Sequence, residues 1–282
     1  MPEKSKAEAS IPSSRATLLV TAVALLFVVM PVLFWHGTWF GKDLTDEQIS
    51  EYLADRESPR QAQHALAQLS QRITAGDPSV KQWYPRVVSL AGHPVTQIRL
   101  TAAWVMGQDA EHEEFHQALL VLIGDEDPLV ARNAALSLAG FGDSSGRDIL
   151  RAMLRPSTVT SPRAGVLSYR LQAGDVVDQD TLLARLAVDG EAEPVEIRSI
   201  LPGVVNERLL EDGVLVRAGQ EIMALGPSSD HVFQALRALF LVGTREDLDD
   251  VRRFLTPRDD MPSQIHEQAR LTIDEIRNRS SL

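Results

Sequence analysis

The sequence predicts a mainly α-helical protein that carries one β insert and an N-terminal transmembrane helix. Three observations predict it. Ala16 to Trp35, "ATLLVTAVALLFVVMPVLFW", is an uncharged apolar run. A helical motif recurs about 33 residues apart, as "IRLTAAWVMG" (98–107) and "ARNAALSLAG" (131–140). From Pro156 to about residue 226, helical periodicity gives way to alternating or paired apolar residues punctuated by glycine, the pattern of short strands and tight turns.

The apolar run is long enough to cross a bilayer, because about 20 residues rising 1.5 Å each span a hydrocarbon core of roughly 30 Å. Residues 16–36 are therefore expected to span the membrane, with Trp35, Trp39 and Phe40 as an aromatic belt at one interface. The run exceeds the apolar region of a signal peptide, and "FWHGTWF" offers no small-residue cleavage site. Lys4, Lys6 and Arg15 precede it, whereas Lys42 and Arg56 follow among Asp43, Asp46 and Glu47. The positive-inside rule then makes residues 1–15 a cytoplasmic tail and sends the chain beyond about residue 40 to the other side.

Residues 43–155 read as paired helices. In "LTDEQISEYLAD", Thr45 is placed to cap a helix, with Glu47 or Gln48 following it. The two copies of the repeat align Arg99 with Arg132, Ala102 with Ala135, Val105 with Leu138 and Gly107 with Gly140. Each copy follows a proline turn, "GHP" or "EDP", and precedes a second helix; "SPRQAQHALAQLSQRI" is a weaker, earlier copy. Over roughly residues 57–155, and chiefly in "DPLVARNAALSLAGFGD", the chain resembles HEAT repeats in their short bacterial form. The resemblance implies an α-solenoid that binds partner proteins. Ala134, Ala135 and Ala139 let antiparallel helices approach, and Leu136 and Leu138 fill the seam.

The β segment repeats itself. Residues 164–186 and 202–225 share a leading glycine (Gly165, Gly203), a turn glycine (Gly174, Gly213), an apolar pair (Val176-Val177, Leu215-Val216) and a closing apolar strand. Its core is expected to draw on Val166, Leu171, Val177, Leu183, Val204, Leu209, Val216 and Ile222. Residues 162–226 thus resemble the biotinyl/lipoyl-like sandwiched barrel, the fold shared by swinging-arm carriers and membrane-fusion adaptors. A carrier holds its prosthetic group on a lysine at the hairpin tip between the halves. Here the tip reads "AVDGEAEPVEI", and no lysine follows Lys81, so carrier chemistry is excluded and no cofactor is expected. The resemblance implies a docking or spacing module.

Helical periodicity returns in residues 229–282. Phe233, Leu236, Leu239 and Phe240 share a face, Asp230 is a candidate cap, and Gly243 is a stop. Ile265, Ala269, Ile273 and Ile276 line a final helix. The β module therefore reads as an insert in a HEAT-like helical array.

The net charge of −11 argues against a nucleic-acid partner, since phosphate binding draws on clustered basic groups. With no cysteine, thiolate metal sites and disulfides are impossible. "HEEFH", His112 to His116, satisfies the spacing of a helical zinc pair with a glutamate base. Yet Glu114 and the preceding Glu111 are charged, the core stripe is Phe115, Leu119, Leu122 and Ile123, and the nearest third ligand, Glu126, lies past the expected helix end at Gly124. The pair reads as a half-exposed first turn. His36, His64, His93, His231 and His266 are scattered, and the acid runs "GDEDP" and "REDLDD" read as solvated turns and helix starts. No catalytic, cofactor-binding or metal residue is assigned. The expected function is that of a non-enzymatic scaffold in the inner membrane of a bacterial envelope. It would cross the bilayer once through residues 16–36 and bind other membrane or periplasmic proteins of a multisubunit complex from a periplasmic body. A periplasmic adaptor of a membrane-fusion transport system and a zinc hydrolase using HEEFH are the alternatives.

Overall fold

The computed structural model describes residues 43–257 and 261–281. The expected cytoplasmic tail (1–15) and transmembrane helix (16–36) lie outside the described residues. Among the described residues no helix is long and apolar enough to cross a membrane. These residues form α-helices and two antiparallel four-stranded sheets.

The first helix, α1 (Asp46–Ala54), opens on a capping box. The Thr45 hydroxyl accepts from the Gln48 N–H at 3.3 Å, and Gln48 Oε1 accepts from the Thr45 N–H at 3.0 Å. Then come α2 (Pro59–Thr74), a 3-10 turn leading into α3 (Tyr84–Ser89), α4 (Thr96–Met106), α5 (Glu113–Leu122), α6 (Pro128–Gly140) and α7 (Arg147–Ala152). Proline opens α2 and α6 because the first helical N–H has no partner to lose. Asp127 completes the start of α6 by accepting from the Leu129 N–H at 2.8 Å. Helices α2, α4 and α6 lie side by side in one layer.

The 33-residue repeat becomes a physical contact between α4 and α6. Asn133 Nδ2 donates to the Leu100 carbonyl at 3.2 Å, and the Ser137 hydroxyl donates to the Ala103 carbonyl at 2.9 Å. Gly107 permits the approach, since a Cβ there would overlap the Ser137 hydroxyl.

The β segment has strands β1 (Ser157–Thr160), β2 (Gly165–Tyr169), β3 (Val176–Val177), β4 (Leu182–Ala187), β5 (Val195–Arg198), β6 (Gly203–Arg208), β7 (Leu215–Val216) and β8 (Glu221–Pro227). They form one sheet in the order β1-β8-β6-β3 and another in the order β5-β4-β2-β7. The duplication in sequence appears here as an exchange of strands. In each half the first strand pairs with its own last strand and with the short middle strand of the other half: β2 with β4 and β7, β6 with β8 and β3. Strand β1 joins β8, with Ser157 opposite Leu225, so strand pairing begins upstream of residue 162.

Leu167, Leu183, Leu186, Val205, Ile222 and Met223 are among the residues that fill a core shared by the two sheets. Val177, Leu183, Val216 and Ile222 are buried as expected, and Leu171 packs against the core from its edge. Val204 is half-buried, and two expected core positions are wrong: Val166 and Leu209 are exposed at 43% and 37%. In "GVL" and "GVV" two apolar residues follow the glycine, and the glycine decides which one points inward. Gly165 and Gly203 face a neighbouring backbone so closely that a Cβ would meet the Ala187 carbonyl at 2.7 Å or overlap the Gly226 carbonyl. Alternation then turns Leu167 and Val205 inward.

The helical layer resumes with α8 (Ser229–Val242), a short α9 (Leu248–Arg252) and α10 (Ser263–Arg279). Ser228, not Asp230, caps α8, its hydroxyl accepting from the His231 N–H at 3.4 Å. Asp230 sits two positions past the cap, within the first turn. Gly243 ends the helix. Helix α8 packs on α6 and α7, and Leu150, Met153 and Leu154 share one buried cluster with Leu236, Leu239, Ile265, Ala269, Ile273 and Ile276. That cluster contains no residue of the sheets. A polar link, Gln179 Nε2 to Asp127 Oδ2 at 3.5 Å, joins sheet to array. Beside the helices a cleft of about 650 Å³ is lined by Val176, Val204 and Asn206 on one side and Phe254 and Met261 on the other.

Candidate functional site

The acid runs are helix starts, as the sequence suggested, but each also holds buried acids that the reading as solvated turns did not foresee. In "GDEDP", Asp125 is buried beneath Arg99, whose Nε and Nη2 donate to its two oxygens at 2.7 and 2.9 Å while Nη1 donates to the His93 carbonyl at 3.0 Å. This pairing holds the Asp125 carboxyl below the usual carboxylate range. In "REDLDD", Asp247 and Asp250 are fully or almost fully buried. Arginines spaced four apart reach them from the other side of the β segment. Arg147 pairs with Glu246 at 2.6 Å, Arg151 Nε lies 3.4 Å from Asp247 and 3.3 Å from Asp250, and Arg155 grips Asp250 at 2.8 and 2.6 Å. Arg155 chiefly, then Arg151, lowers the Asp250 pKa. Sequence reading missed this cluster because its members lie 95 to 99 residues apart. The four-residue spacing of Arg147, Arg151 and Arg155 was the available signal.

Arg132 breaks the equivalence with Arg99. Among the described residues no carboxylate pairs with it, and burial pushes its pKa down. Burial, followed by the nearby Arg132 charge, also lowers His231. In the next unit Ser228 caps α8 as Asp127 caps α6.

The HEEFH histidines have separate environments. His112 precedes α5 as its N-cap residue, its ring edge-on to Tyr84 at 4.7 Å and Phe115 at 4.8 Å. His116 Nε2 lies 2.7 Å from Asp143 Oδ2, with its ring against Phe141. Glu114 Oε2 is 3.8 Å from His112 Nε2, whereas Glu126 is exposed and reaches toward Arg99 at 3.6 Å. Phe115, Leu119 and Leu122 are the buried stripe of this helix. Among the described residues no group of three or more His, Asp or Glu side chains is placed to hold a metal ion. The hairpin tip between β4 and β5 presents exposed Asp189, Glu191 and Glu193, with Arg163 donating to Glu191 at 2.6 Å.

A surface groove lies on the layer formed by α4, α6, α8 and α10. A groove of about 590 Å³ crosses these four helices, with Trp104, Leu241 and Leu271 on its walls. These side chains are 46%, 50% and 46% exposed. Gln108, Asn133, Gln234 and Gln268 interleave with them, and Arg237 is the charged residue of the lining. Its guanidinium lies over the Phe233 ring at 6.0 Å. No motif flagged this groove. The available signal was an aromatic residue, Trp104, among the alanines of a repeat helix.

The helical part is thus an array of stacked helix pairs whose small residues set the spacing between neighbours. Residues 84–168, from the start of α3 through α7 into β2, match the family of HEAT repeats. No curated protein matches the chain. Among solved structures, the chain is similar to the product-bound ectoine utilization protein EutE (DoeB) from Ruegeria pomeroyi. The identity is 21%, over 34% of this chain and 34% of that one, with a TM-score of 0.23. The match spans about one third of that protein, and at this score it defines no shared fold.

Proposed function

We propose that the chain is a non-enzymatic, membrane-anchored scaffold that docks other proteins of a bacterial envelope complex. The observation that carries the reading is the match of residues 84–168 to HEAT repeats, whose stacked helix pairs present extended binding surfaces. The anchor is residues 16–36, and the array faces the periplasm. The β segment is a biotinyl/lipoyl-like barrel inserted in the array. The strand exchange between its duplicated halves supports that assignment. Its hairpin tip carries carboxylates and no lysine, so it has no amine to form an amide with lipoate or biotin, and its role is docking. The full-length chain, purified through an affinity tag in mild detergent and analysed by quantitative mass spectrometry, should bring down a membrane or periplasmic assembly in fixed stoichiometry. A chain that purifies alone after in-cell crosslinking would remove the scaffold reading.

A further inference from the structure

We propose that the groove across α4, α6, α8 and α10 binds an extended peptide of a partner protein that carries an acidic side chain flanked by apolar ones. This rests on the scaffold reading and gives it a place and a ligand chemistry. Single exposed apolar residues are ordinary on a protein surface, but here three large ones line one concavity. Trp104, Leu241 and Leu271 come from three different helices, so an occupant must run across the layer to reach them all.

Charge narrows the occupant. The chain carries a net −11, yet the groove lining contains no acid. Its charged side chain, Arg237, is exposed and pairs with no carboxylate among the described residues, unlike Arg99, Arg151 and Arg155. An unpaired guanidinium on an apolar wall recognises a carboxylate in a bidentate fork. The amides supply the remaining polar chemistry. Gln108 and Asn133 each donate to a helix carbonyl, Trp104 O and Leu100 O, which fixes their side chains and leaves their amide oxygens as acceptors for peptide N–H groups. Helices in contact lie about 8–10 Å apart, so four of them cover roughly 30 Å, the reach of about nine extended residues. Mixed amide and apolar lining of that length suits a chain whose backbone needs partners along its course.

The test is selection of a random nonapeptide phage library on the full-length chain in detergent, followed by fluorescence anisotropy of the recovered peptides. The expected pool carries Asp or Glu between apolar residues. Arg237→Glu should weaken those peptides at least tenfold and shift a fresh selection toward Lys or Arg, and the milder Arg237→Gln should lose the acid preference alone. Trp104→Ala should weaken binding at least tenfold, whereas Val121→Ser, at a site 75% exposed on α5 outside the groove, should change nothing. Helical circular dichroism of each variant confirms that it is folded. A pool without acids, or peptides indifferent to Arg237→Glu and Trp104→Ala, would overturn the proposal. So would a concentration-dependent dimer that Arg237→Glu dissociates, since the occupant would then be a second copy. If the groove variants still co-purify the cellular assembly, this inference fails while the scaffold reading stands; a wild-type chain without any partner defeats the reading itself.

Discussion

The helical array and the β segment place their charges differently. In the array, Asp247 and Asp250, from the turn before α9 and from α9 itself, are buried against the arginines of α7 and the segment after it, and Asp125 is buried between two repeats. In the β segment, the carboxylates paired with Arg163, Arg185 and Arg198 are all more than one third exposed. The contrast follows from architecture. Stacked helix pairs meet edge to edge and leave seams where a carboxylate from one unit meets an arginine from another. Two sheets closed on a common apolar core leave no such seam, and their charges stay at the rim. Ion pairs therefore secure the array, where a lost partner leaves a buried charge, and matter little to the sheets.

The sharpest test of this contrast is removal of one region. Replacing residues 157–227 with a short Gly/Ser linker should abolish the strand signal and leave cooperative helical melting. The chain leaves and re-enters the array where Ser157 faces Leu225, so the linker has little distance to span. Helical melting that becomes broad would show that the array needs the sheets. Next in size, Leu236→Ala should cost about 3 kcal/mol and lower the helical transition only, while Ile222→Ala should cost a similar amount and lower the strand transition only. Calorimetry followed by circular dichroism at two wavelengths separates them; a shared shift would merge the two cores.

Asp250→Ala should destabilise the array by about 2 kcal/mol, below the range for a fully buried pair because Arg155 is half exposed. Acid sharpens the prediction. The folded pKa of Asp250 lies below its unfolded value of roughly 4, so its stabilisation is present above that pH and fades as pH falls through the folded value. Asp125 acts in the same direction. Urea titrations between pH 7 and 3 should show the helical transition losing stability in acid, and Asp250→Ala should flatten that slope. The smallest effect is expected from Gly165→Ala, about 1 kcal/mol on the strand transition, from crowding against the Ala187 carbonyl. Unchanged strand melting would show that β2 can shift to admit the methyl group.

What was legible in the sequence was mostly local. The 33-residue match predicted the α4 and α6 equivalence because repeated helices reuse the same small residues at the same contacts. The glycines and paired valines marked the β segment and its duplication for the same reason. Strand phase was not legible at Val166, because Val166 and Leu167 satisfy either face until the crowded Gly165 chooses one, and Leu209 falls just past the end of β6. Asp247 and Asp250 looked solvent-facing because their arginines lie nearly a hundred residues away in sequence. The groove was hidden for a related reason: Trp104 and Leu271 are exposed residues on separate amphipathic helices, and only stacking brings them to one surface. In HEEFH each imidazole faces its own neighbours, His112 against Tyr84 and Phe115, His116 against Asp143 and Phe141, contacts that the letters of the motif do not carry.

The reach from Arg155 to Asp250 also sets an order of events during translation. When α7 has been made, Leu150, Met153 and Leu154 have α6 residues such as Ala135 and Ala139 on one side but not yet Leu236 and Leu239 on the other, and three arginines await their acids. The strands come next, and they can close on their own core before α8 exists. Once Ser157 and Leu225 are paired, a 95-residue excursion behaves as a much shorter loop, which lowers its closure entropy by about 1 kcal/mol. The sheets then hold the waiting edge of the array beside the point where α8 will emerge. A chain made only as far as residue 230 exposes a sticky helical edge, because the residues that complete this buried cluster follow it.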